Sequence, residues 1–269
     1  MEQHRTINID GHTVHYRDEG RNNTKTVVLL HGFMQTLDVW SSYVLTYMSR
    51  FRVVTIDLPG HGQTDTFGNI HTMNFMAKVV RDVLNHIGID RCVMVGHSMG
   101  GYVALAFADL FPATLRGLAL VNSHAMADSE QKRADREEVC RMVLENKARF
   151  IIDFVPHLFS ESHRQDMAQD IKYLSDQCLD TSTESIIAAQ IGMARRPSRV
   201  GVLSDIEVPV MFVYGKEDGR LPAEVAVAQT LLPNRAEMIM LAKTGHMSFL
   251  EERDYVKTRI ANFVDNCFI

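Results

Sequence analysis

Cysteine is scarce and unpatterned in this chain. Its 269 residues hold four, Cys92, Cys140, Cys178 and Cys267, with no Cys-x-x-Cys pair and no Cys/His ligand spacing. That excludes a disulfide framework and a zinc site, and the thiols read as reduced packing residues. Also missing is any run approaching the roughly 18 apolar residues that a bilayer span needs. The start, Met1-Glu2-Gln3-His4-Arg5, is polar, so no membrane association is expected and the location is read as cytoplasmic. Lysine and arginine form no block: 28 basic against 33 acidic residues give a formal charge of −5. A nucleic-acid partner is therefore not expected, Arg195-Arg196 being only a short basic spot. No Pro/Gly/Ser linker, internal repeat or low-complexity tract divides the chain. With 46% hydrophobic and 23% charged residues, it can bury a core of one large domain, or of one domain with an inserted segment.

What is present is alternation. Ile7-Asn8-Ile9, the Asp10-Gly11 pair and residues 12–16 read as a hairpin. Short continuous apolar runs follow at 27–30, 53–56, 93–95, 118–121, 210–214 and 238–241, as expected for strands covered on both faces. Between them, Met73, Met76, Val80, Val83, Leu84 and Ile87 recur at helical steps before the stop at Gly88. Further helices are expected over 101–111 and 255–268. Alternating strands and helices imply an α/β fold, a mostly parallel sheet with helices on both faces and its chemistry at the carboxyl ends of strands. The stretch 124–196 breaks the pattern, with helical segments expected at 129–150, 160–178 and 183–194 and no strand. It reads as a helical cap or lid inserted into a core made of 1–123 and 197–269.

Gly96-His97-Ser98-Met99-Gly100-Gly101 lies between a strand and a helix, the context that gives the Gly-x-Ser-x-Gly pattern its meaning. A sharp turn there needs small neighbours, lifts the Ser98 hydroxyl clear of the sheet and aims the helix N-terminus at a developing anion. A serine nucleophile needs a base, and the base an orienting carboxylate. Asp218 follows the 210–214 strand, with Glu217 and Asp205 as rivals. His246 follows the 238–241 strand and is the only histidine after His163. His31-Gly32-Phe33 follows another strand end, so the Phe33 and Met99 backbone N–H groups are the expected oxyanion donors, with His31 structural. The loop from Asp57 to Asp65 reads as a brace. Phe33, Met34, Met126, Phe154, Phe159, Met193 and Met247 lie near these loops or on the insertion and suggest an apolar acyl pocket. Packing of the insertion on the sheet would use the same residue types. Arg195 and Arg196 could attract a carboxylate, but read more simply as a solvated helix end.

On these four motifs, His31-Gly32-Phe33, Asp57 to Asp65, Gly96 to Gly101, and Asp218 with His246, the sequence resembles the α/β-hydrolase fold family over nearly its whole length. That family includes carboxylesterases, lactonases, C–C bond hydrolases and perhydrolases. The resemblance implies a mainly parallel eight-stranded sheet with a helical cap, and catalytic roles for Ser98, Asp218 and His246. Phe249, Glu251 and Glu252 fit the family's continuation after the histidine, whereas Arg253 stands where proline is common. A serine nucleophile argues against the dehalogenases and epoxide hydrolases of this fold, which use aspartate. The expectation is a serine hydrolase acting on a small to medium ester or acyl substrate, without a metal or organic cofactor. The alternatives are C–C hydrolysis or an eliminating synthase of the menaquinone-pathway type, an acyltransferase or perhydrolase, and a non-catalytic ligand receptor.

Overall fold

Each central apolar run divides its residues between two cores, which explains why the runs carry almost no polar residue, the buried Thr55 of the 53–56 run being the exception. In the computed structural model, which describes residues 4–269, Val28, Leu30, Val54, Ile56, Met94, Leu118, Leu120 and Phe212 face one hydrophobic core. Their neighbours Val27, Leu29, Val53, Val93, Val95, Ala119, Val121, Met211 and Val213 face the other. A strand's side chains alternate sides, so a sheet covered on both faces is apolar at nearly every step. Met1–Gln3, read above only as part of a polar start, lie outside the described residues.

The strands are β1 (His4–Ile9), β2 (His12–Glu19), β3 (Thr26–Leu30), β4 (Arg52–Ile56), β5 (Cys92–His97), β6 (Leu115–Val121), β7 (Val210–Gly215) and β8 (Ala236–Leu241). They form one sheet in the order β1-β2-β4-β3-β5-β6-β7-β8. β2 runs antiparallel to β1 and β4, and the remaining pairs are parallel. Chain order reverses where β3 lies between β4 and β5, the kind of position at which α/β sheets open a crevice beyond the strand ends. Helices Met73–His86 and Met99–Leu110 contribute to one core. Trp40, Tyr43 and Tyr47 join Val256, Ile260 and Phe263 of helix Arg253–Asn266 in the other.

Between β6 and β7 the chain is helical: Glu130–Phe154, Ala168–Asp180, Thr183–Ala194 and Val200–Asp205. The first breaks at Asn146, an extended residue (φ −158°, ψ 86°) inside the helical run. The second begins later than its sequence suggested because 161–167 close as turns. Short helices Ser41–Tyr47 and Ala223–Gln229 went unread, each too short to show a helical period. The four cysteines are free, and Cys92, Cys178 and Cys267 are buried. Among the described residues no helix is long and apolar enough to cross a membrane.

The loops at the strand ends bury several histidines. Burial and the neighbouring His31 push His61 down to about 3, and burial with the charge of His246 does the same to His97, also to about 3. Desolvation takes His71 and His124 down to about 4. The unfolded chain protonates these rings near pH 6.5 and the folded one does not, so their contribution to stability is lost progressively as pH falls below that value. Stability measured by urea unfolding is expected to drop between pH 7 and pH 5, by about 2 kcal/mol for each fully buried ring. Equal stability at the two pH values would contradict the assignment of buried neutral histidines.

Candidate active site

Ser98 sits between β5 and helix Met99–Leu110 at φ 51°, ψ −116°, a conformation that side-chain-bearing residues adopt only under local constraint. Two kinds of contact hold it. Its N–H donates to Val121 O at 3.0 Å, and its carbonyl accepts from Ser123 Oγ at 2.8 Å. The neighbouring positions have no room for a side chain: a Cβ on Gly96 would strike the Gly100 carbonyl, and one on Gly100 would meet the Leu30 and His31 carbonyls. The Gly-x-Ser-x-Gly pattern is thus a packing requirement of this turn.

His246 Nε2 lies 2.9 Å from Ser98 Oγ, and His246 Nδ1 lies 2.8 Å from Asp218 Oδ2. With Nδ1 donating to Asp218, Nε2 is the acceptor facing the serine. Asp218 comes from the loop after β7, and His246 from the loop after β8. Both are buried. Burial alone would push Asp218 upward. The charge and N–H of His246, with donors from Asn122 and the Arg220 backbone, outweigh it and hold Asp218 below the ordinary carboxylate value. The rivals fall away on position, since Glu217 and Asp205 are exposed. His246 is fixed through its backbone: its N–H donates to Leu158 O at 2.7 Å, and His97 Nε2 donates to its carbonyl at 3.0 Å. Glu251 accepts from Gly245 N and Ser160 N, tying this loop to the insertion.

Phe33 and Met99 flank the serine from the ends of β3 and β5, and no carbonyl among the described residues accepts from either backbone N–H. His31 is buried and receives the Leu58 N–H on Nε2 at 2.9 Å. The Asp57 carboxylate accepts from Leu37 N, Gln63 N and His15 Nδ1, bracing three segments.

A cavity of about 330 Å³ opens above Ser98 and His246, and Phe33, Met126, Phe154 and Met193 all line it. The other expected pocket residues do not reach it. Met34, at φ 57°, is fully buried in the core with Trp40, and its carbonyl accepts from Cys178 Sγ. Phe159 is buried in the same core, and Met247 is buried there with its sulfur receiving Gln35 Nε2 at 3.4 Å. Apolar composition alone cannot distinguish a pocket wall from the layer beneath it. Arg195 is exposed as expected, but Arg196 is buried, pairs with Asp128 at 2.7 Å and lies 4.0 Å over the Tyr102 ring.

Asn122 was missed by sequence reasoning. At φ 47°, just beyond β6, it donates to Asp218 Oδ2 at 2.9 Å and to Gly245 O at 3.1 Å, and accepts from Ser248 Oγ. An Asn-Ser pair at a strand's carboxyl end was the available signal.

A family model described as alpha/beta hydrolase fold matches residues 25–139. The chain has the α/β-hydrolase fold. It is 26% identical, over 93% of its length and 90% of the relative's, to a 2-hydroxy-6-oxononadienedioate/2-hydroxy-6-oxononatrienedioate hydrolase of Paraburkholderia phymatum. It is 28% identical, over 93% and 98%, to a pimeloyl-[acyl-carrier protein] methyl ester esterase of Pectobacterium atrosepticum. Among solved structures it superposes on a thermophilic esterase from Thermogutta terrifontis, solved with malate bound, with a TM-score of 0.92 and 27% identity, over 98% of this chain and 99% of that one.

Asn122→Gly keeps the left-handed backbone but removes the donor to Asp218. Turnover of 4-nitrophenyl acetate is expected to fall about ten- to a hundredfold through lost positioning, while the fold survives. Unchanged turnover would show that Asn122 does not hold Asp218 in a position that matters to turnover.

Proposed function

We propose that the protein is a serine hydrolase that cleaves a small to medium carboxylic ester or related acyl compound through an acyl-serine. The observation that carries this reading is the continuous Ser98–His246–Asp218 hydrogen-bonded line at the floor of a cavity. Ser98 Oγ attacks the carbonyl carbon as His246 Nε2 takes its proton, and Asp218 stabilises the imidazolium. The Phe33 and Met99 N–H groups receive the oxyanion. Collapse breaks the ester bond, and His246 returns the proton to the departing alkoxide. A water then attacks the acyl-serine with His246 as base, Ser98 regains its proton, and the products are an acid and an alcohol.

The insertion 124–196 acts in this reading as a lid on the core of 1–123 and 197–269. Residues of helices Glu130–Phe154 and Thr183–Ala194, including Phe154 and Met193, form part of the cavity wall above the serine. The similarity to the Thermogutta esterase and to the Pectobacterium methyl ester esterase supports ester substrates. The similarity to the Paraburkholderia hydrolase supports C–C bond hydrolysis as a second reading. Weak turnover of simple esters beside strong turnover of a substrate with an acidic enol would favour it.

A 4-nitrophenyl ester chain-length series tests the proposal. Ser98→Ala and His246→Ala are each expected to lower kcat by about four orders of magnitude or more, with the double variant no worse than either alone. Asp218→Asn should be severe and Glu217→Gln mild. Additive losses, or damage from Glu217→Gln in place of Asp218→Asn, would overturn these roles.

A further inference from the structure

The cavity wall carries more charge than an apolar acyl pocket needs. Lys132, Arg136 and Arg220 line it together with Asp128 and Asp135. Two of the three cations are already answered. Asp128 receives Arg136 Nε at 2.5 Å, and Arg196 at 2.7 Å from behind the wall. Arg136 spends a further donor on Gln190 Oε1 at 2.9 Å. Lys132 and Asp135 stand 3.8 Å apart on one helix.

Arg220 is what remains. Among the described residues its guanidinium has no carboxylate within ion-pair distance and no side-chain hydrogen bond. Its contact is the Phe154 ring, 4.3 Å from the guanidinium carbon. The neighbouring Asp218 cannot serve as that partner in addition to its present ones: its Oδ1 takes the Arg220 and Leu221 N–H groups and its Oδ2 takes Asn122 and His246. The residue as a whole is exposed at the cavity rim. Desolvation of its head and the charge of Arg136 hold it below the ordinary arginine value, against the pull of Asp218. A guanidinium resting on an aromatic face keeps its planar edge free, and that edge matches a carboxylate with two parallel hydrogen bonds. Phe154 in turn meets Phe33 edge to face, with ring centres 6.5 Å apart. An aromatic wall therefore runs from the expected oxyanion loop to Arg220.

We propose that the substrate carries a carboxylate remote from its scissile carbonyl, and that this carboxylate docks on Arg220. This inference rests on the hydrolytic reading and names its substrate class, a half-ester in preference to a neutral ester. Arg220 is a specificity residue here and takes no part in bond cleavage.

The test uses two matched pairs of probes. One is 4-nitrophenyl hydrogen adipate against its methyl ester, with the charge on the acyl side. The other is 4-carboxyphenyl butyrate against its methyl ester, with the charge on the alcohol side. At least one anionic probe is expected to exceed its neutral partner in kcat/KM by about tenfold or more, the scale of a charge-assisted hydrogen bond. Arg220→Gln should abolish that preference and Arg220→Lys should keep part of it. Absence of a preference in both pairs, or a preference that survives Arg220→Gln, would overturn the proposal. If no probe is turned over, the hydrolytic reading is what fails. Calorimetric titration of the anionic probes into Ser98→Ala, with and without Arg220→Gln, then decides the subsite: weaker binding in the double variant supports it, and equal or absent binding overturns it.

Discussion

The backbone of Ser98 is the constraint on which the other parts of the site depend. Holding a non-glycine residue at φ 51°, ψ −116° costs on the order of 1–3 kcal/mol, and the surrounding sheet must over-determine it. β5 lies between β3 and β6, so the turn is enclosed on both sides. The β6 end receives the Ser98 N–H, and the β3 end leaves space only for Gly100. A serine hydroxyl is then displayed where the next two strands, β7 and β8, can each send one loop toward it. The reach of the Ser98 hydroxyl is a property of the sheet as a whole, more than of the five-residue motif.

The second dependence is electrostatic. A buried carboxylate is costly to ionise unless donors surround it, and Asp218 receives four, from two neighbouring loops and its own turn. Asn122 links the ends of β6, β7 and β8 through this one carboxylate. Its second bond, to Gly245 O, fixes the residue before the histidine. Orientation of His246 thus comes from a network in which Asp218, His246 and the loop backbones share donors, so loosening one member loosens the rest. Away from Ser98 and His246, Asp128 does the same for Arg136 and Arg196, joining the two ends of the helical stretch between β6 and β7.

The central sheet and the positions of Ser98, Asp218 and His246 at the strand ends were legible in the sequence because each has a short-range signature. Strands covered on both faces read as nearly unbroken apolar runs, and the sharp strand-to-helix turn at Ser98 needs glycine at fixed offsets. Asp218 and His246 followed from strand ends. The pocket wall had no such signature. Met34 and Met247 resemble Met126 and Met193 in composition and in nearness to the key loops. Only the left-handed turn at Met34 and the direction taken by the chain after His246 send the first two into the core. Arg196 was misread for the converse reason: a cation at a helix end looks solvated until a distant Asp128 and Tyr102 close over it. Asn122 depends on contacts more than ninety residues away in sequence, with Asp218 at a separation of 96.

The most direct measurement is fluorophosphonate modification followed by peptide mass spectrometry, on the native chain and on His246→Ala. If the strained turn presents a serine activated by His246, one label forms on Ser98 in the native protein and its rate collapses in the variant. Modification elsewhere, or equally fast modification of Ser98 without His246, would contradict the account.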